Sequence, residues 1–275
     1  MLPALVFCDM DGTFLASDKS IPADNYALLD DLVAWGVSFV PCTGRPLFAV
    51  PEEIREHPAV TYAIAANGAA ICDVRRGVNL HEERLDTEAV LALYERVRHL
   101  DATFDVFTGD VVFSERRRYD HMGELGVDDA TLTMLRRVRT PTDLTVPEIL
   151  ERYGRPEKIT CFWGDERVRD ALVAEMSVTE GAAFAKGHPN DFEMQATGAS
   201  KGNALRWLCD YLGVDVAESI AFGDEGNDEA LLRAAGDGVA MANASPEVLA
   251  AADHACESND ECGVARYLRR LFEGA

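Results

Sequence analysis

Two aspartates separated by one residue, Asp9 and Asp11, follow directly on the short apolar run 4–8. An apolar run of this length that is rich in Val and Phe predicts a buried strand. Ligands of parallel sheets bind just beyond the carboxyl ends of the strands. Burying two like charges is costly unless a cation shares the site, and Mg²⁺ prefers oxygen ligands. The pattern therefore indicates either a cation site at a sheet edge or a turn that the aspartates cap.

Three further segments place polar residues where a predicted strand ends or a predicted helix begins. They are Thr43-Gly44-Arg45-Pro46, Ser200-Lys201-Gly202 and Gly223-Asp224-Glu225-Gly226-Asn227-Asp228. Strand, helix and strand in succession imply a right-handed parallel crossover, so Thr43 should emerge at the same sheet edge as Asp9. A lysine is unfavourable near the positive N-terminus of a helix, and this favours a functional role for Lys201. Taken alone, Asp224 and Asp228 would fit a loop with a helix N-cap. Because they are expected at the same sheet edge as Asp9 and Asp11, a catalytic role for both is favoured.

Three further residues are candidates for the site, and two of them, Asn67 and Arg45, allow more than one interpretation. Gly12 would let the backbone turn sharply and approach a ligand closely. Asn67 precedes Gly68 after the predicted strand 62–66, so it either forms a turn or makes a polar contact at the mouth of the site. Arg45 either pairs with an acidic neighbour or contacts the substrate.

The elements that must position these residues alternate as strand and helix at both ends of the chain. Between them, hairpins mix with helices, which is typical of a separate α+β unit. We predict an α/β fold with a doubly wound parallel sheet in residues 1–81 and 187–275. An inserted α+β domain would occupy residues 82–186, and the strand-like segment 191–195 would belong to the sheet of the first domain.

Composition narrows the possible partners. The chain has 275 residues, 48% of them hydrophobic, and a formal net charge of −22. This charge argues against nucleic acid or an anionic membrane as a partner, because both require a basic surface. An anionic substrate would need a metal ion or a few placed cations.

Seven cysteines without CxxC spacing predict reduced core thiols. We see no secretory signal and no apolar segment of about 18 residues, so we expect a cytoplasmic protein.

The motifs together resemble the haloacid dehalogenase superfamily of phosphohydrolases, in particular its Cof-type branch with a large C2-type cap. The matching segments run in the family order: Asp9-Met10-Asp11-Gly12-Thr13, Thr43-Gly44-Arg45-Pro46, Asn67-Gly68, Ser200-Lys201-Gly202, Gly223-Asp224 with Asn227-Asp228, Gly238-Val239-Ala240-Met241, and Asn259-Asp260 with Gly263-Val264. The resemblance implies a Rossmann-like core, residues 1–81 and 187–275. It also implies a cap, residues 82–186, that determines substrate specificity and closes over the substrate.

The resemblance also implies roles for individual residues. Asp9 would attack phosphorus and form an aspartyl-phosphate. Asp11 would protonate the departing alcohol and then take a proton from the hydrolytic water. Thr43 and Lys201 would hold the phosphoryl oxygens. Further contacts to the phosphate or substrate would come from Gly12, Gly44, Arg45, Asn67 and Asn227.

For the metal, the resemblance implies Mg²⁺ held by Asp9, the backbone carbonyl of Asp11 and Asp224. Asp228 would orient metal-bound water from behind these ligands. The expected activity is that of a Mg²⁺-dependent phosphomonoester phosphatase for small phosphorylated metabolites, sugar phosphates first and nucleotide or cofactor phosphates next. The alternatives are a phosphomutase of the same superfamily and a non-catalytic phosphate-ligand binding protein.

Overall fold

The structure is a computed structural model that describes residues 2–109, 111–185 and 190–274. It divides the chain into two compact units. The first comprises Met1–Glu82 and Ser200–Ala275, and the second comprises Glu83–Ala199. Within the described residues, no helix combines the length and apolar character needed to span a bilayer.

The first stretch of the chain builds half of the first unit. Its helices and strands are β1 (Leu5–Asp9), α1 (Ala23–Trp35), β2 (Ser38–Cys42), α2 (Glu52–Arg55), β3 (Tyr62–Ala65), β4 (Ala70–Asp73) and β5 (Val78–Glu82). The helix α1 ends at Gly36, whose backbone is left-handed with φ 73° and whose N–H caps the carbonyls of Leu32 and Val33.

The second unit is an antiparallel sheet with helices. Its elements are α3 (Thr87–Val97), β6 (Asp105–Thr108), β7 (Val111–Glu115), α4 (Arg116–His121), α5 (Asp129–Val138), β8 (Arg139–Thr142), α6 (Val146–Tyr153), β9 (Lys158–Phe162), α7 (Glu166–Ser177), β10 (Ala182–Ala185) and β11 (Asp191–Ala196). The strand order is β10-β11-β9-β6-β7-β8, and the pairs are antiparallel except β7 with β8. This agrees with the predicted α+β insertion.

One segment lies in a different sheet from the predicted one. The strand β11 pairs antiparallel with β9, with Met194 opposite Ile159, so the segment predicted as 191–195 belongs to the second unit. The prediction placed it in the first sheet because an alternating pattern reveals a strand but not its partner. The predicted domain boundary between residues 186 and 187 lies outside the described residues. The two units separate between Ala199 and Ser200.

The last stretch of the chain completes the first unit. It forms α8 (Lys201–Leu212), β12 (Ser219–Gly223), α9 (Glu229–Ala234), β13 (Asp237–Ala240), α10 (Pro246–Ala251), β14 (His254–Ala255) and α11 (Gly263–Glu273). The sheet order is β14-β13-β12-β1-β2-β3-β4-β5, parallel from β14 to β3 and antiparallel from there to β5. This is the predicted doubly wound sheet with parallel central strands.

The central strand β1 is buried on both of its faces. Val6 and Cys8 pack in the cluster that α1 and α11 supply, while Leu5 and Phe7 pack in the cluster that α8 and α9 supply. Two buried faces explain why the strand sequence is continuously apolar. The first carboxyl side chain along β1 is therefore that of the aspartate at its carboxyl end, Asp9.

Candidate active site

A buried lysine joins two aspartates that lie at or just after the carboxyl ends of the neighbouring strands β1 and β12. Lys201 Nζ donates to Asp9 Oδ1 at 2.5 Å and to Asp228 Oδ1 at 2.6 Å. Lys201 is the first residue of α8, and the side chain of Ser200 caps this helix by accepting from the N–H of Asn203. Burial would lower the pKa of Lys201, but Asp228 and Asp9 outweigh burial and raise this pKa. The ammonium is thus held in its charged form despite full burial and an unfavourable helix terminus.

Three buried carboxylates share this one cation. Asp9, Asp224 and Asp228 each offer an oxygen, and these oxygens lie within 4.8 Å of one another. Burial and the neighbouring Asp228 raise the pKa of Asp224 to about 7. Burial also raises the pKa of Asp9, against the opposing effect of Lys201. This excess of negative charge and the all-oxygen donor set fit a hard divalent cation such as Mg²⁺.

Two residues beside Asp224 fix its side chain. Thr13 Oγ1 donates to Asp224 Oδ1 at 2.6 Å. The backbone of Gly12 is left-handed, with φ +83°, and a Cβ at this position would lie 2.2 Å from Asp224 Oδ2. Gly12 is therefore required both for the backbone conformation and for the close approach of the Asp224 carboxylate.

The two oxygens of Asp228 are already engaged by the protein. Oδ1 accepts from Lys201, and Oδ2 accepts from the backbone N–H groups of Asp224 and Glu225 at 3.0 and 3.1 Å. Asp228 therefore shapes the loop that carries Asp224 and is less available for direct contact with a metal than Asp9 or Asp224.

Asp11 lies at the same edge but has separate partners. Arg45 Nη2 donates to Asp11 Oδ1, and Lys19 Nζ lies 3.0 Å from the same oxygen. Burial would raise the pKa of Asp11, but Arg45 and then Lys19 outweigh burial and lower this pKa. Of the two interpretations of Arg45, the pairing with an acidic neighbour is the one that the structure shows.

The ends of β2, β3 and β12 are tied together by hydrogen bonds. Thr43 is buried; its Oγ1 accepts from the N–H of Arg45 at 3.0 Å, and its carbonyl accepts from the N–H of Asn67 at 3.0 Å. Gly44 lies between Thr43 and Arg45 in this turn. Asn67 has a left-handed backbone, with φ 58°, and its Oδ1 accepts from Asn227 Nδ2 at 3.1 Å. Asn67 thus forms a turn and also makes a polar contact, so both interpretations of this residue apply.

Register supports the convergence of the predicted residues. In the β1–β2 pairing, Asp9 lies opposite Cys42, so Thr43 follows immediately beside the end of β1. In the β1–β12 pairing, Cys8 lies opposite Phe222, so Asp224 is only two residues beyond the last paired position. The predicted residues therefore come from neighbouring strand ends at one edge of the sheet.

Three residues at the site were not predicted from the sequence. Thr13 and Lys19 contact Asp224 and Asp11, and Asn243 Nδ2 donates to the carbonyl of Gly12 at 2.8 Å. Thr13 belongs to the first motif and could have been proposed from it. Lys19 and Asn243 lie in loops, where no periodic pattern indicates which side chain faces the site.

Comparison with known proteins identifies the family. The family model for haloacid dehalogenase-like hydrolases matches residues 6–268. The chain is 31% identical over 275 residues to the Bacillus subtilis (strain 168) protein named "Putative phosphatase YxeH", covering 97% of each chain. It is 28% identical over 284 residues to the 5-amino-6-(5-phospho-D-ribitylamino)uracil phosphatase YwtE of the same organism, again covering 97% of each.

A solved structure shows the same fold. The haloacid dehalogenase-like hydrolase from B. subtilis superposes with a TM-score of 0.84 at 27% identity, covering 98% of this chain and 99% of that one. The family predicted from the motifs is confirmed by a match over nearly the whole chain and by relatives named as phosphatases. The chain therefore belongs to the haloacid dehalogenase-like hydrolases, in their Cof-type branch, and is a phosphatase.

Proposed function

We propose that the protein is a Mg²⁺-dependent phosphomonoester phosphatase that acts on small phosphorylated metabolites through an aspartyl-phosphate at Asp9. The observation that carries the proposal is the meeting of Asp9, Lys201 and two further carboxylates at one sheet edge. A nucleophile, a cation beside it and oxygen donors for a metal are the parts that phosphoryl transfer from an ester requires.

The proposed reaction has two steps. A carboxylate oxygen of Asp9 forms a bond to phosphorus while the bond from phosphorus to the ester oxygen breaks, and Asp11 donates a proton to the departing alcohol. A water molecule then attacks phosphorus and gives a proton to Asp11. This step breaks the bond between Asp9 and phosphorus and releases inorganic phosphate. Asp9 therefore starts as the carboxylate, and Asp11 must be protonated when the ester binds, against the lowering of its pKa by Arg45 and Lys19. Both residues return to these states at the end of the second step.

Lys201 and Thr43 are placed to hold the phosphoryl group. An ammonium has three N–H donors, and in the described part of the chain Asp9 and Asp228 take two of those on Lys201. The third is left for a phosphoryl oxygen. The Oγ1 of Thr43 accepts from the N–H of Arg45, which leaves its own hydroxyl proton to donate to a second phosphoryl oxygen.

Asp9, Asp224 and the backbone carbonyl of Asp11 would hold Mg²⁺, with Asp228 behind them because its own oxygens already accept hydrogen bonds. Bound Mg²⁺ supplies positive charge that stabilises the transferring phosphoryl group. The raised pKa of Asp224, caused by burial and by Asp228, is the local sign that the carboxylates lack a sufficient counter-charge.

The substrate class follows from charge and from a relative. An anionic ester must be held by local cations because the chain carries a net charge of −22, and Lys201 and Arg45 supply them. The relative YwtE is named for an ester of a ribityl group, which is a phosphorylated polyol. We propose sugar and sugar-alcohol phosphates as the preferred substrates and the second unit as the part of the chain that selects among them.

Seven thiols without a disulfide support a cytoplasmic location.

A phosphate-release screen tests the proposal. The purified protein is assayed across sugar, sugar-alcohol, nucleotide and cofactor phosphates with Mg²⁺ and with a chelator, and Asp9→Asn is the control. We expect release from at least one polyol ester, lost in chelator and in Asp9→Asn. A protein that releases no phosphate without an added acceptor, but moves it to another hydroxyl, would be a phosphomutase. Binding of esters that is unchanged in Asp9→Asn, without turnover in the wild type, would make the protein a binder.

A further inference from the structure

We propose that Lys19 is a positioning residue for Asp11, and that the Asn259-Asp260 segment acts on the site by holding the loop that carries Lys19. The inference rests on the proposed function because it concerns the acid–base step. The Lys19 loop is defined here as residues 16–20.

The contact between Lys19 and Asp11 is specific to one carboxylate oxygen. Lys19 Nζ lies 3.0 Å from Asp11 Oδ1, and Arg45 Nη2 donates to the same Oδ1. Two cations on one oxygen fix the rotation of the carboxyl group. Among the described residues, both contacts fall on Oδ1 and none falls on Oδ2, which leaves Oδ2 for the alcohol or water that exchanges a proton with Asp11. Arg45 alone could hold the oxygen but would leave the plane of the carboxyl group less constrained.

The Lys19 loop is fixed from outside by the Asn259-Asp260 segment. Ser17 donates twice to Asp260, from its N–H to Oδ1 and from its hydroxyl to Oδ2, both at 2.8 Å. Asn259 Nδ2 donates to the carbonyl of Leu15 at 3.0 Å. Leu15 and Ser17, shortly before Lys19, are thus held by hydrogen bonds to residues more than 240 positions away in the chain.

Within the loop, hydrogen bonds force a tight turn. The N–H of Lys19 donates to the carbonyl of Ala16 at 2.8 Å, and the N–H of Ala16 donates to the carbonyl of Ser20 at 3.0 Å. Asp18 Oδ1 accepts from the N–H of Ser20 at 2.9 Å. The turn places Lys19 at φ 68°, a left-handed conformation that is unfavourable for a non-glycine residue. Such strain persists only where the surrounding contacts determine the conformation.

The same segment also holds the turn that carries Asp11. The N–H of Asn259 donates to Asn243 Oδ1 at 3.0 Å, and Asn243 Nδ2 donates to the carbonyl of Gly12 at 2.8 Å. Residues 259–260 therefore connect with both sides of the Lys19–Asp11 contact. The Asn259-Asp260 motif, which resembles the family's but carries no role in the proposed reaction, thus has a role at the site.

The test compares esters that differ in their need for an acid. An alkyl phosphate requires protonation of its leaving oxygen, whereas p-nitrophenyl phosphate releases a stable anion that does not. In Lys19→Met, we expect kcat/KM for the alkyl ester to fall about 10-fold and kcat/KM for p-nitrophenyl phosphate to change less than about 2-fold, because a misplaced acid forfeits part of the usual acid-catalysis factor. The ratio kcat/KM is used because it reports the steps up to departure of the alcohol.

Matched variants separate positioning from folding. Lys19→Arg should restore most of the alkyl-ester activity. Lys19→Gly should lose the same activity without a lower thermal midpoint, since glycine relieves the left-handed strain. Arg269→Met, which removes another half-exposed cation paired with a single aspartate, Asp31, should leave both esters unchanged.

Each remaining outcome overturns the inference. An equal loss on both esters would make Lys19 a phosphate-binding or structural residue, and no loss on either would remove any role. The alkyl ester is a polyol phosphate, and wild-type protein that hydrolyses neither this ester, nor p-nitrophenyl phosphate, nor any ester of the screen would overturn the proposed function itself. Active wild-type protein with a Lys19→Met variant that does not discriminate between the esters would overturn only the role of Lys19.

Discussion

At the scale of single residues, the site depends on one buried ammonium that faces three carboxylates. Lys201 is fully buried and pairs with Asp9 and Asp228. In Lys201→Met, two buried carboxylates lose their partner, which typically costs about 3–5 kcal/mol. We expect a lower midpoint of urea denaturation, measured in chelator, and no phosphate release in an assay that contains Mg²⁺. The double variant Lys201→Met/Asp228→Asn should recover part of the midpoint but none of the activity. A Lys201→Met variant as stable as the wild type would contradict this view of the cluster.

Gly12 offers a second test at this scale. A Cβ at Gly12 would lie 2.2 Å from Asp224 Oδ2, whereas Gly36, with a similar φ of +73°, has no atom within 4 Å of the added Cβ. Both Gly→Ala variants carry the same left-handed strain, about 1 kcal/mol. We expect Gly36→Ala to lose thermal stability and keep phosphatase activity, and Gly12→Ala to lose both, because it displaces Asp224. Equal activities of the two variants would show that the Asp224 position is not critical.

The residues that were predictable are those at the ends of regular elements. Asp9 and Asp224 follow buried strands and Lys201 opens a helix, so pattern and polarity together located them. Lys19 was not predictable in this way. Its approach to Asp11 depends on a left-handed turn and on Asp260, which lies 243 residues from Ser17 in the chain.

At the scale of elements, the doubly wound sheet was predictable because its central strands are buried on both faces and read as apolar runs. The strand β11 was not, since Asp191–Ala196 pairs with β9 in the second unit, and its own sequence does not specify that partner. The order of elements along the chain therefore predicted the architecture better than it predicted where the insertion ends.

The connection between β14 and α11 provides a prediction of pH dependence. Arg270 donates to both oxygens of Glu257, at 2.5 and 2.9 Å, and this hydrogen bonding lowers the pKa of Glu257 to about 2. A carboxylate with a lowered pKa in the folded state stabilises the fold above its unfolded pKa, about 4.3, and this contribution is lost as the pH falls towards 2.

Glu257→Gln should therefore lower the free energy of unfolding at pH 7, measured by urea denaturation, by less than about 1 kcal/mol, because the pair is partly exposed to solvent. The difference from the wild type should remain constant between pH 7 and 6 and shrink below about pH 4.5. Glu273→Gln, at the exposed end of α11, is the control. A difference that grows on acidification would show that the pair does not act through the charge of Glu257.

At the scale of the whole molecule, the net charge of −22 is the dominant physical property. Self-repulsion of this size destabilises the folded state and is screened by salt over about 10 Å at 0.1 M. In chelator, the thermal midpoint should rise by a few degrees, ~3 °C, between 0.02 and 0.2 M KCl. Arg and Lys form many surface ion pairs that salt would weaken, so a midpoint that falls with salt would show that these pairs outweigh the net repulsion.

The central claim is that Asp9 accepts the phosphoryl group in a site completed by Mg²⁺. The most direct measurement is acid quenching of the protein during turnover of a ³²P-labelled ester, followed by mapping of the labelled peptide. The account predicts Mg²⁺-dependent label on the peptide that contains Asp9, and none in Asp9→Asn. Phosphate release by the wild type with no label trapped on Asp9, or with the label on another residue, would contradict it.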